Sequence, residues 1–187
     1  RYAGYILIAD EIKEDASQAI RDLKKVGVQR TVMLTGDNEV VAKSVAGQLG
    51  LDAYFAGLLP EDKVGAIEKL LDRSGKNKVV FVGDGINDAP VIARADIGMA
   101  MGGLGSDAAI ETADVVLMTD APSKVAEAIQ VARKTRTIVV QNIVLAMAIK
   151  GIFIALGTIG LATLWEAVFA DVGVALLAIF NASRVLK

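Results

Sequence analysis

Residues 79–102 read VVFVGDGINDAPVIARADIGMAMG. Val79 to Val82 is a short β-branched apolar run of the kind that forms a buried strand, and it leads directly into Asp84, Asn87 and Asp88. Ile97 to Met101 is a second strand candidate, one short helix further on. Carboxylates gathered at the end of a buried strand suit a hard cation such as magnesium, which takes oxygen ligands, keeps several waters and bridges phosphate oxygens. The plainer reading of the same residues is that Asp and Asn form a turn and cap the next helix. Both readings require strand, turn and helix in that order.

Outward from this stretch, strand-like runs alternate with amphipathic helical patterns. Tyr5 to Ala9 precedes a helix over 16–26, Thr31 to Leu34 precedes one over 40–49, and Tyr54-Phe55 leads to Pro60, a good first-turn residue. The helix after Pro60 carries Val64, Ile67, Leu70 and Leu71 on one face, and Val115 to Met118 is the last strand candidate. Strands separated by helices of this length predict a mostly parallel sheet with helices on both faces. In such a sheet the ligand site lies beyond the carboxyl ends of the strands. Thr35, Gly36 and Asp37 follow one strand, Asp84, Asn87 and Asp88 follow another, and Lys63 sits in the first turn after Pro60. Lys63 can neutralise a phosphoryl group, and Thr35 with the Gly36 backbone can donate to its oxygens. The segment 36–44 ends in Lys-Ser but lacks the second glycine of a P-loop. Gly102, Gly103 and Gly105 read as a turn after Met101.

Composition separates two regions. Of 187 residues 53% are hydrophobic, yet charges crowd residues 1–136 and nearly vanish beyond. The net charge of −2 supplies no basic field, which argues against nucleic acid as a partner. Cysteine and histidine are absent, so a metal site within this chain must use oxygen donors or methionine sulfur. Arg1-Tyr2 without an initiator methionine suggests a chain that begins inside a longer protein.

Residues 138–160 and 164–183 are apolar spans long enough for a bilayer core of about 30 Å. The link around Leu161-Ala162-Thr163 is so short that the two helices must be antiparallel neighbours. Arg133, Lys134 and Arg136 precede the pair and Arg184 and Lys187 follow it, while the connecting turn has no Lys or Arg. The positive-inside rule then places residues 1–136 and the C-terminus in the cytoplasm, with Trp165 near the opposite interface. Lys150 and Asp171 fall near mid-membrane, where an ionised group is costly, so they should face each other or a cavity. Their role is either a structural ion pair or an ion path with Asp171 as ligand and Lys150 as counter-charge. Gly173 permits close backbone approach there, and Met147 reads as packing.

Thr35-Gly36-Asp37-Asn38, Pro60-Glu61-Asp62-Lys63 and Gly83-Asp84-Gly85-Ile86-Asn87-Asp88-Ala89-Pro90, in this order, resemble the phosphorylation domain of P-type ATPases, which has a haloacid dehalogenase-like fold. Residues 101–118 resemble the heavy-metal pumps, and the zinc/cadmium/lead branch more than the copper branch. That branch has a lysine in the penultimate helix and Asp-x-Gly in the last, as Lys150 and Asp171-Val172-Gly173 stand here, and the copper branch's Asn-Tyr and Met-x-x-Ser-Ser patterns are absent.

The resemblance implies an α/β, Rossmann-like parallel sheet domain over residues 1–130, then a connecting helix and two transmembrane helices over residues 131–187. It implies the C-terminal part of an ATP-driven zinc, cadmium or lead exporter in a bacterial plasma membrane. The family's phosphorylated Asp-Lys-Thr-Gly-Thr motif does not occur here. The nucleophile and most of the nucleotide domain are therefore expected in other parts of the same pump, and this chain alone should not turn over ATP. By resemblance, Asp84 binds magnesium with Asn87 and Asp88 completing the site, and Thr35 and Lys63 contact the phosphoryl group beside Gly36 and Asp37. Asp171 takes the exported ion, and Lys150 replaces it when the ion leaves. Membrane lipid is the remaining partner. Two other readings use the same acidic loop or none of it: a phosphatase of this fold tethered by the hairpin, and a truncated regulatory protein. The sheet is expected to hold together only with all its central strands.

Overall fold

A computed structural model describes residues 11–83, 86–102 and 107–186. The expected strand Tyr5 to Ala9, the magnesium candidate Asp84, and Gly103 and Gly105 lie outside the described residues. The chain divides into two compact units, Arg1–Ala126 and Glu127–Lys187.

In the first unit helices and strands alternate: α1 (Ala16–Lys25), β1 (Val32–Leu34), α2 (Glu39–Leu49), β2 (Ala53–Phe55), α3 (Pro60–Ser74), β3 (Val80–Gly83), α4 (Ala89–Arg94), β4 (Ile97–Met101), α5 (Asp107–Thr112) and β5 (Val115–Leu117). A single 3₁₀ turn, Ile86–Asp88, joins β3 to α4. Local chemistry marks the helix ends. Asn38 caps α2 by accepting from the Val41 N–H at 3.0 Å, and Gly50, with φ 67°, ends it in the left-handed region a side chain avoids. Pro60 occupies the first turn of α3, where its missing N–H costs nothing, and Asp62 accepts from the Leu59 N–H at 3.2 Å.

Among the described residues every strand pair is parallel, as the alternation predicts. Val32 pairs with Ala53, Val80 with Ile97, and Met99 with Val115. The described strands form a two-stranded sheet, β1-β2, and a three-stranded sheet, β3-β4-β5. A parallel ladder continues only where the neighbouring strand is present, and none of the described strands bridges β1 to β3. The core of the larger sheet is Ile92, Ala100 and Ala109, with Phe81 and Ala113 against it. Gly98 faces that core because no side chain fits: a Cβ there would stand 2.5 Å from Ile92 Cγ2 and 2.5 Å from the Ile92 carbonyl oxygen.

The second unit is helical. Helix α6 runs unbroken over Ser123–Thr158, so its apolar span continues from the charged segment as one helix. Helix α7 spans Leu164–Ala182 and ends in a 3₁₀ turn, Ser183–Leu186. Thr163 and Glu166 start α7 as a capping box, the Glu166 carboxylate accepting from the Thr163 N–H at 2.7 Å. Both helices are long and apolar enough to cross a membrane, and only 6% of each apolar window is buried within the chain. Apolar side chains left uncovered over that length are stable in lipid and costly in water.

Candidate functional site

The loops that leave β1, β2 and β3 carry the polar residues, at the carboxyl ends of parallel strands. Thr35 heads the first loop. Its hydroxyl donates to Asp37 Oδ2 at 2.8 Å and accepts from the Asp37 N–H at 3.1 Å, closing a tight turn at Gly36. This loop is pinned to the next: the Thr35 N–H donates to the Phe55 carbonyl at 3.0 Å, the Leu58 N–H to the Thr35 carbonyl at 3.0 Å, and the Gly57 N–H to the Asp37 carbonyl at 2.7 Å. Gly57 holds φ 65°, and a Cβ on Gly36 would lie 3.4 Å from the Leu58 carbonyl oxygen. The second loop opens α3, so the position of Lys63 in its first turn is tied through backbone bonds to the Thr35 turn.

Lys63 then reaches the third loop. Its Nζ donates to Asp88 Oδ1 at 2.8 Å, with the two side chains only 19% and 13% exposed. Removing an ammonium and a carboxylate this far from water is tolerated because each neutralises the other. Asp88 sits at the end of the 3₁₀ turn, directly over Gly83. A Cβ on Gly83 would stand 2.7 Å from Asp88 Cβ, 2.9 Å from Asp88 Oδ2 and 3.0 Å from Phe81 Cε1. Asn87 is exposed beside it.

The structure thus brings Lys63 and Asp88 into contact and joins Thr35, Gly36 and Asp37 in one turn. Among the described contacts, Asp37 is bonded to Thr35 and not to Lys63. The Lys63 charge is held by Asp88 rather than standing free. Two contributors were not singled out from the sequence. Gly83 was read as part of a motif but not as the seat of Asp88, and the Gly57-Leu58 loop was not read as a support for Thr35; a glycine and a Pro60-bounded turn at strand ends were the available signals.

The other predicted pair lies in the second unit. Lys150 Nζ stands 3.1 Å from Asp171 Oδ1, so the lysine of the first apolar span and the aspartate of the second face each other. They line an open groove of about 400 Å³ with Ile149, Phe153, Ala167 and Ala170. Among the described residues no cluster of three or more acidic side chains is arranged to hold a metal ion.

Comparison with known proteins agrees with this layout. Residues 1–96 match the model of the family described as "Hydrolase: haloacid dehalogenase-like hydrolase". The chain is 82% identical over its whole length to the zinc-transporting ATPase of Synechocystis sp., covering 26% of that protein. It is 61% identical over its whole length to the cadmium, zinc and cobalt-transporting ATPase of Bacillus subtilis, covering 27% of it. A crystal structure of a zinc-transporting PIB-type ATPase in the E2.Pi state superposes over 95% of the chain and 28% of its own, with a TM-score of 0.87 at 45% identity. The chain therefore spans about a quarter of the length of these relatives. With strand-end loops of this kind and a family match over residues 1–96, the chain belongs to the haloacid dehalogenase-like hydrolase family and carries two membrane-type helices behind that domain.

Proposed function

We propose that the chain is the C-terminal part of an ATP-driven exporter of divalent zinc, cadmium or lead ions that works through an aspartyl phosphate. The observation that carries the reading is one chain holding both a Lys63–Asp88 pair at the strand ends of a hydrolase domain and a Lys150–Asp171 pair across two apolar helices. Its similarity to zinc-transporting relatives over the whole length supports the same reading.

On this reading residues 1–136 and the C-terminus are cytoplasmic, and the apolar spans 138–160 and 164–183 cross a bacterial plasma membrane. The Thr35 hydroxyl and the Gly36 backbone, fixed by the Asp37 turn, donate to phosphoryl oxygens, and Lys63 supplies positive charge beside them. The oxygen donors of Asp84, Asn87 and Asp88 fit magnesium in kind, and magnesium bound there would offset phosphoryl charge. Asp88 keeps Lys63 in place, and Gly83 leaves room for it to do so. The phosphorylated aspartate and the nucleotide site belong to other parts of the pump. In the membrane, Asp171 takes the exported ion, and the Lys150 ammonium replaces it afterwards. Neutralising the carboxylate lowers the cost of the empty site and disfavours rebinding.

The test is made in the complete protein. Asp84→Asn should abolish turnover of ATP, while Asp171→Asn should abolish only its stimulation by zinc. Zinc-stimulated turnover preserved in both Asp171→Asn and Lys150→Met would refute the transport site and leave a membrane-tethered phosphatase as the reading.

A further inference from the structure

Three amide side chains in the apolar helices have no part in that transport site: Gln141 and Asn142 on α6 and Asn181 on α7. The structure joins them. Asn181 Nδ2 donates to Asn142 Oδ1 at 2.9 Å and to Gln141 Oε1 at 3.2 Å. Asn142 Nδ2 donates to the Ala178 carbonyl at 3.2 Å, and an Arg184 guanidinium N–H donates to Asn181 Oδ1 at 2.9 Å. Both ends of the Asn142 and Asn181 amides are therefore engaged across or along the helix pair.

Their position relative to the ion pair is specific. From Asn142 to Lys150 is eight residues along α6, about 12 Å of helix. From Ala178 and Asn181 back to Asp171 is seven and ten residues along α7, about 10 and 15 Å. The amide contacts and the ion pair thus belong to one antiparallel alignment, and a slip of one turn, about 5.4 Å, would break the amide contacts outright. Lys150 cannot define that alignment alone, because a flexible four-carbon stem reaches a carboxylate from several registers. Nor does the ion pair persist, since the proposed cycle parts Lys150 from Asp171 each time an ion binds. The rest of the contact face, including Ala146, Ile149, Ala170 and Val174, is apolar, and apolar surfaces in lipid have little preference against sliding. Short amides bonded to each other and to a backbone carbonyl do have one.

We infer that Gln141, Asn142 and Asn181 are positioning residues that lock the register of α6 against α7 and so hold Asp171 opposite Lys150. The register half of this stands on the contacts alone, and the consequence for metal binding rests on the transport reading. This chain contains no cysteine, so a disulfide that joins peptides of α6 and α7 identifies the introduced pair. In the complete protein in membranes, cysteines placed singly at positions 143 to 149 and at 151 are oxidised against Val174→Cys. The cross-link should peak at one facing position. In Asn181→Leu the peak should move by three or four residues or spread over the scan, and in Asn181→Gln, which keeps the amide, it should stay. The zinc concentration for half-maximal ATP turnover should rise at least about tenfold in Asn181→Leu, the maximal rate changing far less. An unmoved cross-link peak in Asn181→Leu overturns the lock. A moved peak with unchanged zinc dependence overturns its positioning role. If Asp171→Asn itself keeps zinc stimulation, the transport reading has failed, and the cross-link scan still decides the register.

Discussion

Adding one methyl group at Gly83 tests how the site is built. Gly83 has no left-handed φ, so alanine is allowed by the backbone, and any penalty comes from what the new Cβ meets. It would meet Asp88 Cβ at 2.7 Å, Asp88 Oδ2 at 2.9 Å and Phe81 Cε1 at 3.0 Å. Carbon atoms rest at about 3.5–4.0 Å, so the methyl intrudes by about 1 Å on two side chains at once. Overpacking of this kind costs about 1–3 kcal/mol, about five- to 150-fold in the folding equilibrium. The strand cannot retreat easily, because Gly83 is in register with Ala100 on β4. Asp88, in a single 3₁₀ turn, is the part that gives, and its 2.8 Å bond to Lys63 is then lost. Gly83→Ala in the complete protein should therefore lower maximal ATP turnover at least about tenfold while leaving the zinc concentration for half-maximal stimulation unchanged. Denaturant midpoints of the same preparations measure the share of the strain taken as lost stability. Gly47→Ala is the control: Gly47 lies within α2 with nothing within 4 Å of a Cβ, so the substitution should stabilise by about 0.5–1 kcal/mol with turnover intact. Wild-type turnover together with a wild-type midpoint in Gly83→Ala would refute the claim that Asp88 occupies this seat.

Gly98→Ala should be worse for folding than Gly83→Ala, because its Cβ meets the Ile92 backbone oxygen at 2.5 Å and Ile92 is 1% exposed; a loss of at least about 3 kcal/mol is expected, read as a midpoint shift, and a near-neutral variant would contradict the packing of α4 on β4. Asp52 accepts from the Thr31 hydroxyl and the Thr31 N–H, both at 2.7 Å, and these bonds, the hydroxyl first, hold its carboxyl below the usual value of 3.8. A carboxylate depressed in the folded state stabilises above its unfolded value, and that stability drains away as pH falls through the folded one. Asp52→Asn should thus lower the denaturant midpoint near neutrality and flatten its fall in acid; an equal deficit at both pH values would show that Asp52 is not the titrating group.

Much of this molecule is legible in its residue order. Alternating apolar runs and amphipathic helices are local properties, set by side-chain period and chain stiffness, so parallel strands were readable wherever a run survived for three or more residues. The two apolar spans were equally plain, since the bilayer fixes their length. Lys150 opposite Asp171 followed from a short turn and simple counting along two antiparallel helices. What counting does not reach is depth and shape. The need for glycine at 83 and 98 arises from Asp88 and Ile92 arriving from later elements, and the support of Thr35 by Gly57 and Leu58 arises from two loops that meet only when β1 and β2 pair.

The kind of chemistry proposed for this chain was therefore legible in residue type and spacing: oxygen donors and one lysine at strand ends, and opposite charges inside apolar helices. Which atoms of those residues touch was decided by packing. Lys63 is held by Asp88, and Asn142 by Asn181 and Ala178, because a hydrogen bond between distant residues depends on separations of a few tenths of an ångström, and only the assembled elements set separations on that scale.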